Sequence, residues 1–266
     1  MLDTVNFNNS DLYSMSDPGK LSVEVNNGVG ILTFSHTKSN SLPGTLLREI
    51  AQGIAQLGED KNTRVILLKS EGEKVFCAGA SFDEFKGIQN VEQGREFFMG
   101  FGLITLAVRK CPKLVVARVQ GKAVGGGVGI VAASDIAFAT NGSAVRLSEL
   151  ALGIGPFIIG PAVQRKIGLS AYSTLAVEAE WRDAKWAKDH GLYAETFDTV
   201  RDLDAAVKTL TEKLAGCHPA AMARLKQVLW EGTENWESLL PTRAGFTAEL
   251  ALTDYVQSAI AAVKER

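Results

Sequence analysis

Short strand-like segments and longer helix-like segments alternate along the first 200 residues, and this order constrains the fold more than any other feature. The strand-like segments alternate apolar and polar side chains or form short apolar runs, and they cover residues 21–25, 30–35, 65–68, 114–119 and 135–139. Residues 26–28, Asn-Asn-Gly, are a hairpin-turn sequence between the first two strands. Apolar side chains follow helical spacing after Pro43, at positions 46, 47, 50, 54 and 57, and residues 91–110 are again helix-like. The alternation predicts an α/β core over residues 21–200.

The two ends of the chain differ from this core. Residues 1–20 are polar, and we expect them to form a loose N-terminal arm. From residue 202 onward the pattern predicts only helices, at residues 203–214, 219–230 and 242–263. The residues expected to interrupt or separate these helices are Gly216, Pro219, Gly232 and Pro241. Because residues 201–266 end in a stretch rich in Ala and Leu, we expect this segment to pack on the core, on another subunit, or on both.

Charge and composition exclude several classes of protein. The 266 residues carry 28 Lys and Arg against 30 Asp and Glu, so the chain lacks the positive charge of a duplex-binding protein and we expect no nucleic-acid partner. Its three cysteines are far apart and its three histidines share no metal-type spacing, which disfavours a disulfide framework and a metal site. The N-terminus does not resemble a secretory signal, and the longest apolar stretch, residues 151–163, is too short and too broken to span a bilayer. We therefore expect a cytoplasmic protein with no membrane partner.

Two glycine-rich loops, at residues 75–83 and 120–130, each lead from a predicted strand into an apolar helix. Small residues there let a ligand approach the backbone, and a helix N-terminus presents N–H groups at the positive end of its dipole. Two converging loops of this kind would stabilise negative charge on one oxygen, although such glycines can equally relieve crowding or supply positive φ angles. A loose dinucleotide-binding pattern at residues 127–132 is disfavoured, because the strand that begins at Asp135 leaves too little chain for a crossover helix.

Several segments together resemble the crotonase superfamily, the enoyl-CoA hydratase/isomerase family. The matching segments are residues 76–80, 121–127, 135–136, 147–154, 164–168 and 184–192. The resemblance implies an α/β fold, a crotonase-like spiral of ββα units with a helical C-terminal trimerisation segment. It also implies a homotrimer or a dimer of trimers that acts on an acyl-CoA thioester, with no cofactor beyond the CoA of the substrate.

The same resemblance assigns roles in catalysis. The backbone N–H groups of Ala80 and Gly126 would form an oxyanion hole for a thioester enolate, a type of interaction in which one donor is typically worth about 3 kcal/mol. The two acid/base positions of the family correspond to Gly129 and Glu149. Glycine cannot accept a proton from water, so only Glu149 retains a catalytic carboxyl group. One carboxylate can still move a proton between two carbons of an acyl chain, and the resemblance therefore favours an isomerase that shifts a double bond.

The remaining site residues are predicted on the same basis. Contacts to CoA would involve Lys38, Ser39, Ala78 and Ser81, and an apolar acyl pocket would involve Phe82, Phe85 and Phe157. Asp83 and Glu84 follow the first loop, and a Phe-Asp-Glu-Phe run favours a solvent-exposed helix face for both acids. If this segment folded inward, either acid would approach the acyl chain and could replace the one missing at Gly129. Two alternatives stay open: a hydratase, dehydratase or decarboxylase of an unusual acyl-CoA such as a glutaconyl-type thioester, and an acyl-CoA-binding protein without turnover.

Overall fold

The computed structural model describes residues 17–262, so residues 1–16 of the expected polar arm lie outside the described part. The chain enters the fold through an antiparallel hairpin, β1 (Lys20–Asn26) and β2 (Val29–Ser35). Asn27 and Gly28 form its turn with φ angles of 50° and 83°, the left-handed geometry that matches the twist of paired strands. No helix in the described part of the chain is both long and apolar enough to cross a membrane.

Parallel strand pairing dominates the rest of the molecule. The remaining strands are β3 (Ser41–Leu42), β4 (Val65–Ser70), β5 (Val75–Cys77), β6 (Gly79–Ala80), β7 (Val115–Val119), β8 (Lys122–Val124), β9 (Ile136–Thr140), β10 (Ala144–Arg146), β11 (Arg182–Asp183) and β12 (Glu195–Phe197). One sheet has the order β1-β2-β4-β7-β9-β12, a second has the order β11-β10-β8-β5, and β3 pairs with β6. All neighbours in the first sheet after the hairpin are parallel, as expected when helices connect successive strands.

Helices follow the strands in a repeating order. They are α1 (Gly44–Glu59), α2 (Phe82–Lys86), α3 (Val91–Lys110), α4 (Gly126–Ala133), α5 (Gly160–Glu178), α6 (Ala184–Asp189), α7 (Val200–Ala215), α8 (Pro219–Leu229), α9 (Trp236–Ala251) and α10 (Asp254–Ala262). Four times the chain passes through a strand of the large sheet, then through short-strand structure outside it, and then into a helix. These four units end with α1, α3, α4 and α5, and the second of them contains two short strands, β5 and β6, and the additional short helix α2. This is a spiral of ββα units.

Helix α1 shows how the sequence pattern becomes core. Its five apolar positions with helical spacing are all buried: Leu46, Leu47, Ile50, Ile54 and Leu57. They pack in the main core with Leu32 and Phe34 of β2. Full burial of one such side chain contributes about 1.5–3 kcal/mol, so this face alone anchors the helix firmly on the sheet.

The C-terminal helices differ from the expected boundaries. The helix expected at residues 242–263 is wrong: α9 begins earlier, at Trp236, and a second helix, α10, follows a break at Leu252 and Thr253. Pro241 does not separate helices but lies inside α9, where it removes one backbone hydrogen bond. The helix persists through it because Leu240 and Ala244, on either side of Pro241 in the sequence, are both fully buried.

Candidate active site

Both glycine-rich loops lie at one edge of the short-stranded sheet. Strands β5, β8 and β10 are parallel neighbours, so their carboxyl ends meet at the same edge. The chain continues from these ends into residues 78–80, 125–126 and 147–149. This is where parallel sheets commonly bind ligands, because loops from several strands converge there.

A cavity of about 90 Å³ lies between these loops, and its walls are almost entirely apolar. Of the described residues that line it, only Ser148, Glu149 and Thr247 have polar side chains, and only Glu149 is ionisable. A larger groove of about 720 Å³ lies between β1, β2 and α7, but neither glycine-rich loop reaches it. The small cavity is therefore the candidate active site.

The two backbone positions predicted for the oxyanion hole, Ala80 and Gly126, both line this cavity. The loops that carry them are in contact: a Cβ atom on Gly79, which has a φ of 95°, would lie 3.3 Å from the Val124 carbonyl oxygen and 4.0 Å from the Gly126 nitrogen. The Ser41 hydroxyl donates a hydrogen bond of 2.9 Å to the Ala80 carbonyl and so holds the first loop in place. Gly126 opens α4, where helix geometry leaves N–H groups without helical partners.

Close packing also requires glycine in the second loop. A Cβ atom on Gly126 would lie 2.3 Å from the ring of Phe101, and one on Gly127 would lie 2.6 Å from the Cys77 carbonyl oxygen. These glycines therefore do two things: they let α4 approach its neighbours, and they leave the backbone accessible at the cavity. The close contacts confirm the crowding explanation of the loop, and the ligand explanation stays a prediction.

Glu149 follows β10 and directs its carboxyl group at the start of α4. A Cβ atom on Gly125, whose φ is 51°, would lie 2.9 Å from Oε1 of Glu149. The residue as a whole is only partly buried, but Oε2 is buried and has no hydrogen-bond partner within residues 17–262. Burial raises the pKa of Glu149 to about 7, and hydrogen bonds from the backbone of residues 148 and 149 offset only part of this effect. A pKa near neutrality lets the group both accept and donate a proton.

Gly129 stands at the position that the resemblance matches to a second acid, and the space beside it is filled by the side chain of Ile159. Gly129 lies one helical turn beyond Gly126 in α4, and a Cβ atom there would lie 2.4 Å from Cγ2 and 2.7 Å from Cβ of Ile159. Contacts below 3.0 Å essentially never occur at real Cβ atoms. Ile159 is buried at the start of α5 and lines the cavity. An apolar side chain, that of Ile159, thus occupies the volume that an acid at position 129 would need.

Asp83 and Glu84, the two acids that follow the first loop, do not line the cavity. Asp83 forms an ion pair of 2.7 Å with Lys38, which lowers the pKa of its carboxyl group. Glu84 accepts a hydrogen bond of 2.7 Å from the Gly44 N–H at the start of α1, and burial raises the pKa of its carboxyl group. Both acids have partners outside the cavity, so the structure gives no support to the hypothesis that one of them replaces the group missing at Gly129.

The residues predicted to contact CoA are only partly brought together. Ala78 lines the cavity, whereas Lys38, Ser39 and Ser81 do not. The Lys38 side chain is 59% exposed and lies beside α2 through its ion pair. Ser81 is buried, and its hydroxyl accepts a hydrogen bond from the Glu84 N–H as the N-cap of α2. Contacts from these side chains to CoA stay predictions.

The three predicted aromatic residues, Phe82, Phe85 and Phe157, all line the cavity. Phe85 packs edge-on against Phe98 with 5.2 Å between ring centroids, which makes one wall a rigid aromatic cluster. Phe98 and Phe101 of α3, two further aromatic residues that the sequence suggests for an apolar pocket, also line the cavity. Two lining residues that the sequence did not single out are Ile159 and Thr247. Their contribution depends on how α5 and α9 pack around the loops, which local spacing does not reveal. Within the described residues, no group of three or more His, Cys, Asp or Glu side chains is placed to hold a metal ion.

Known proteins resemble this chain over most of its length. A model of the enoyl-CoA hydratase/isomerase family matches residues 24–262. Human mitochondrial methylglutaconyl-CoA hydratase is 29% identical over 216 residues, which are 79% of this chain but only 63% of that protein, less than two-thirds of its length. Ethylmalonyl-CoA decarboxylase of Gallus gallus is 28% identical over 228 residues, 84% of this chain and 74% of that protein. The peroxisomal Delta(3,5)-Delta(2,4)-dienoyl-CoA isomerase of Arabidopsis thaliana is 26% identical over 238 residues, 84% of each chain.

The fold is shared as well. The solved structure of enoyl-CoA hydratase from Bacillus halodurans superposes with a TM-score of 0.84 over 91% of this chain and 99% of that chain, at 21% sequence identity. This likeness confirms the crotonase-like spiral expected from the sequence. The relatives include a hydratase, a decarboxylase and an isomerase, so the comparisons support acyl-CoA chemistry without selecting one reaction.

Proposed function

The chain belongs to the enoyl-CoA hydratase/isomerase family, and we propose that its own reaction moves a carbon–carbon double bond along a CoA-linked acyl chain. The observation that carries this proposal is a cavity in which Glu149 is the single ionisable side chain among the described lining residues. The place of a second acid, at Gly129, is taken by Ile159.

One carboxylate is sufficient for this reaction. Glu149 removes a proton from C2 of a 3-enoyl thioester, and the electrons of that bond form a dienolate whose negative charge lies on the thioester oxygen. The N–H groups of Ala80 and Gly126 stabilise that oxygen. Glu149 then returns the proton to C4, the double bond comes to lie between C2 and C3, and no proton is gained or lost overall.

The environment of Glu149 suits both halves of this transfer. A carboxylate in water is a weak base, whereas burial raises the pKa of Glu149 to about 7 and so makes its ionised form more basic. The same shift leaves the protonated form a weak enough acid to survive until C4 is in position. A pKa near the working pH is the optimum for a group that must act as base and then as acid.

The lining of the cavity disfavours substrates that carry a second carboxylate. A glutaconyl- or malonyl-type acyl group would bring a negative charge into an apolar space, and a buried charge needs a partner. No Lys, Arg or His occurs among the described residues that line the cavity, and the charged form of Glu149 would repel the incoming group. We therefore propose a substrate whose acyl chain is uncharged and apolar. The names of the human and chicken relatives instead contain methylglutaconyl-CoA and ethylmalonyl-CoA, whose acyl groups carry a second carboxylate.

The proposal is tested with a panel of thioesters and the purified wild-type protein. A trans-3-enoyl-CoA is expected to give the absorbance of a conjugated 2-enoyl thioester, while crotonyl-CoA is expected to be hydrated slowly or not at all. Faster conversion of 2-enoyl or glutaconyl-type thioesters than of the 3-enoyl thioester would replace the isomerase by a lyase. Tight binding without turnover across the panel would indicate an acyl-CoA-binding protein.

We also propose that the protein assembles as a homotrimer or a dimer of trimers. Four large apolar side chains on α5 and α8 are more than half exposed: Leu169, Val177, Leu225 and Val228. Exposed apolar surface of this kind is typical of protein interfaces. Light scattering coupled to gel filtration is expected to give three or six chain masses, and a monomer at micromolar concentration would contradict this assembly.

A further inference from the structure

We infer that Ile159 determines which reaction the site performs, because it closes the side of the cavity on which a water molecule would otherwise be held for attack on the acyl chain. The inference rests on the proposed function for its substrates. It concerns a different residue from the proton shuttle, and its first test measures hydration rather than isomerisation.

Ile159 lies between the cavity and Gly129. It lines the cavity wall, whereas Gly129 does not, and it is only 4% exposed. Gly126 and Gly129 are one helical turn apart and so lie on the same face of α4. An acid at position 129 would therefore approach the acyl chain from beside the oxyanion loop, through the volume that Ile159 fills.

The side chain of Ile159 cannot move aside to admit such a group. The two atoms closest to a Cβ at position 129 are Cβ and Cγ2 of Ile159, at 2.7 and 2.4 Å. Cβ is fixed by the backbone, and a β-branched side chain has little freedom at χ1. Relief of the contact requires either a shift of α4 against α5 or loss of the side chain. Gly129 and Ile159 thus form a matched pair in which each excludes the alternative at the other position.

The consequence is chemical as well as steric. Hydration needs a water molecule held close to C3 and a group that takes its proton. Ile159 offers no hydrogen bond, and a space lined by apolar atoms stays dry unless several polar partners hold the water. With water absent from that side, the conjugated 2-enoyl product is not hydrated, and the dienolate receives its proton from Glu149.

The test restores the second acid with and without the obstruction. Gly129→Glu, Ile159→Gly and the double variant Gly129→Glu/Ile159→Gly are compared with wild type for hydration of crotonyl-CoA, followed as loss of the conjugated thioester absorbance. Glycine is used at position 159 because alanine would retain the Cβ atom at 2.7 Å. The double variant is expected to hydrate crotonyl-CoA about 100-fold faster than wild type or either single variant, the low end of what a positioned acid or base contributes.

Ile158 supplies the matched control, since it is the adjacent isoleucine, is also buried and also lines the cavity. Gly129→Glu/Ile158→Gly enlarges the same wall by the same atoms but leaves Ile159 in place, and it is expected to gain no hydration. Equal gain in this control, equal gain with Gly129→Glu alone, or a folded double variant without hydration would each overturn the inference. Failure of wild type to convert a 3-enoyl-CoA would instead overturn the proposed function. The hydration rates of the variants could still be compared, because crotonyl-CoA hydration does not require isomerisation.

A second measurement does not require a glutamate at position 129. Isomerisation in D₂O by wild type is expected to return mostly the original proton, whereas Ile159→Ala admits water beside the dienolate and raises the deuterium content of each product molecule, measured by mass spectrometry. Ile158→Ala is the control and is expected to match wild type in deuterium per product. Equal deuterium content in the Ile159 and Ile158 variants would contradict the role assigned to Ile159.

Discussion

Replacement of Glu149 by Gln is expected to make the protein more stable above neutral pH, although it removes the proposed catalytic group. The carboxyl oxygen Oε2 is buried without a hydrogen-bond partner in the described part of the chain, so ionisation of Glu149 in the folded protein has a cost. A neutral amide of the same shape avoids that cost. An active-site residue that lowers stability in its working form is a common trade-off in enzymes.

The magnitude follows from the pKa of Glu149. Its pKa is about 7 in the folded protein against an ordinary value of 4.5. Between these two values the folded chain binds more protons than the unfolded chain, so the free energy of unfolding falls as pH rises from about 4.5 to about 7 and then levels off. A pKa difference of about 2.5 at about 1.4 kcal/mol per pKa unit corresponds to about 3.5 kcal/mol. Glu149→Gln lacks this loss and is expected to exceed wild type by about that amount above pH 7.

The assay is thermal denaturation at fixed protein concentration from about pH 5 to about pH 8.5. At about 2–4 °C per kcal/mol, the Tm of Glu149→Gln is expected to lie roughly 7–14 °C above wild type at the alkaline end and close to wild type near pH 5. Glu49→Gln, which removes an exposed carboxyl group on α1, is the control and is expected to show no such pH-dependent gain. A difference between Glu149→Gln and wild type that does not grow with pH would refute the burial argument.

Three further predictions concern activity. The kcat/KM for a 3-enoyl-CoA is expected to rise with pH through about 7, because Glu149 must be ionised to accept the C2 proton; a flat profile from about pH 5 to about pH 9 would contradict this role. Ser41→Ala removes the 2.9 Å hydrogen bond to the Ala80 carbonyl and is expected to lower kcat about 10- to 100-fold with little change in KM, measured by steady-state kinetics. Unchanged kcat would show that the first loop is held without Ser41. Lys38→Met is expected to raise the KM for CoA thioesters about 5-fold while kcat is retained, and an unchanged KM would exclude Lys38 from phosphate binding.

The backbone part of the site could be predicted from the sequence because it is local. The two glycine-rich loops are visible as runs of small residues that are adjacent in the chain, and the resemblance to the crotonase superfamily selects Ala80 and Gly126 within them. The same resemblance, through residues 147–154, selects Glu149, because the local sequence alone does not distinguish a catalytic carboxyl group from a solvent-exposed or helix-capping one.

The side-chain part of the site depends on contacts between distant segments. Ile159 is thirty residues from Gly129, and only the close approach of α4 to α5 makes the two positions exclude each other. The use of Asp83 and Glu84 is decided by Lys38 and by the Gly44 N–H, both about forty residues away. Helix boundaries near Pro241 were wrong for a related reason, because burial of neighbouring side chains outweighed the local preference of proline.

The proposed reaction depends most on Glu149 as the single proton carrier. The direct measurement is the rate at which wild type and Glu149→Gln convert a trans-3-enoyl-CoA to the conjugated 2-enoyl thioester, with binding of a saturated acyl-CoA measured in parallel to confirm an intact site. We expect rapid conversion by wild type, a loss of at least about 10²-fold in kcat for Glu149→Gln, and similar acyl-CoA binding by both proteins. Undiminished turnover in Glu149→Gln would contradict the role of Glu149 as proton carrier.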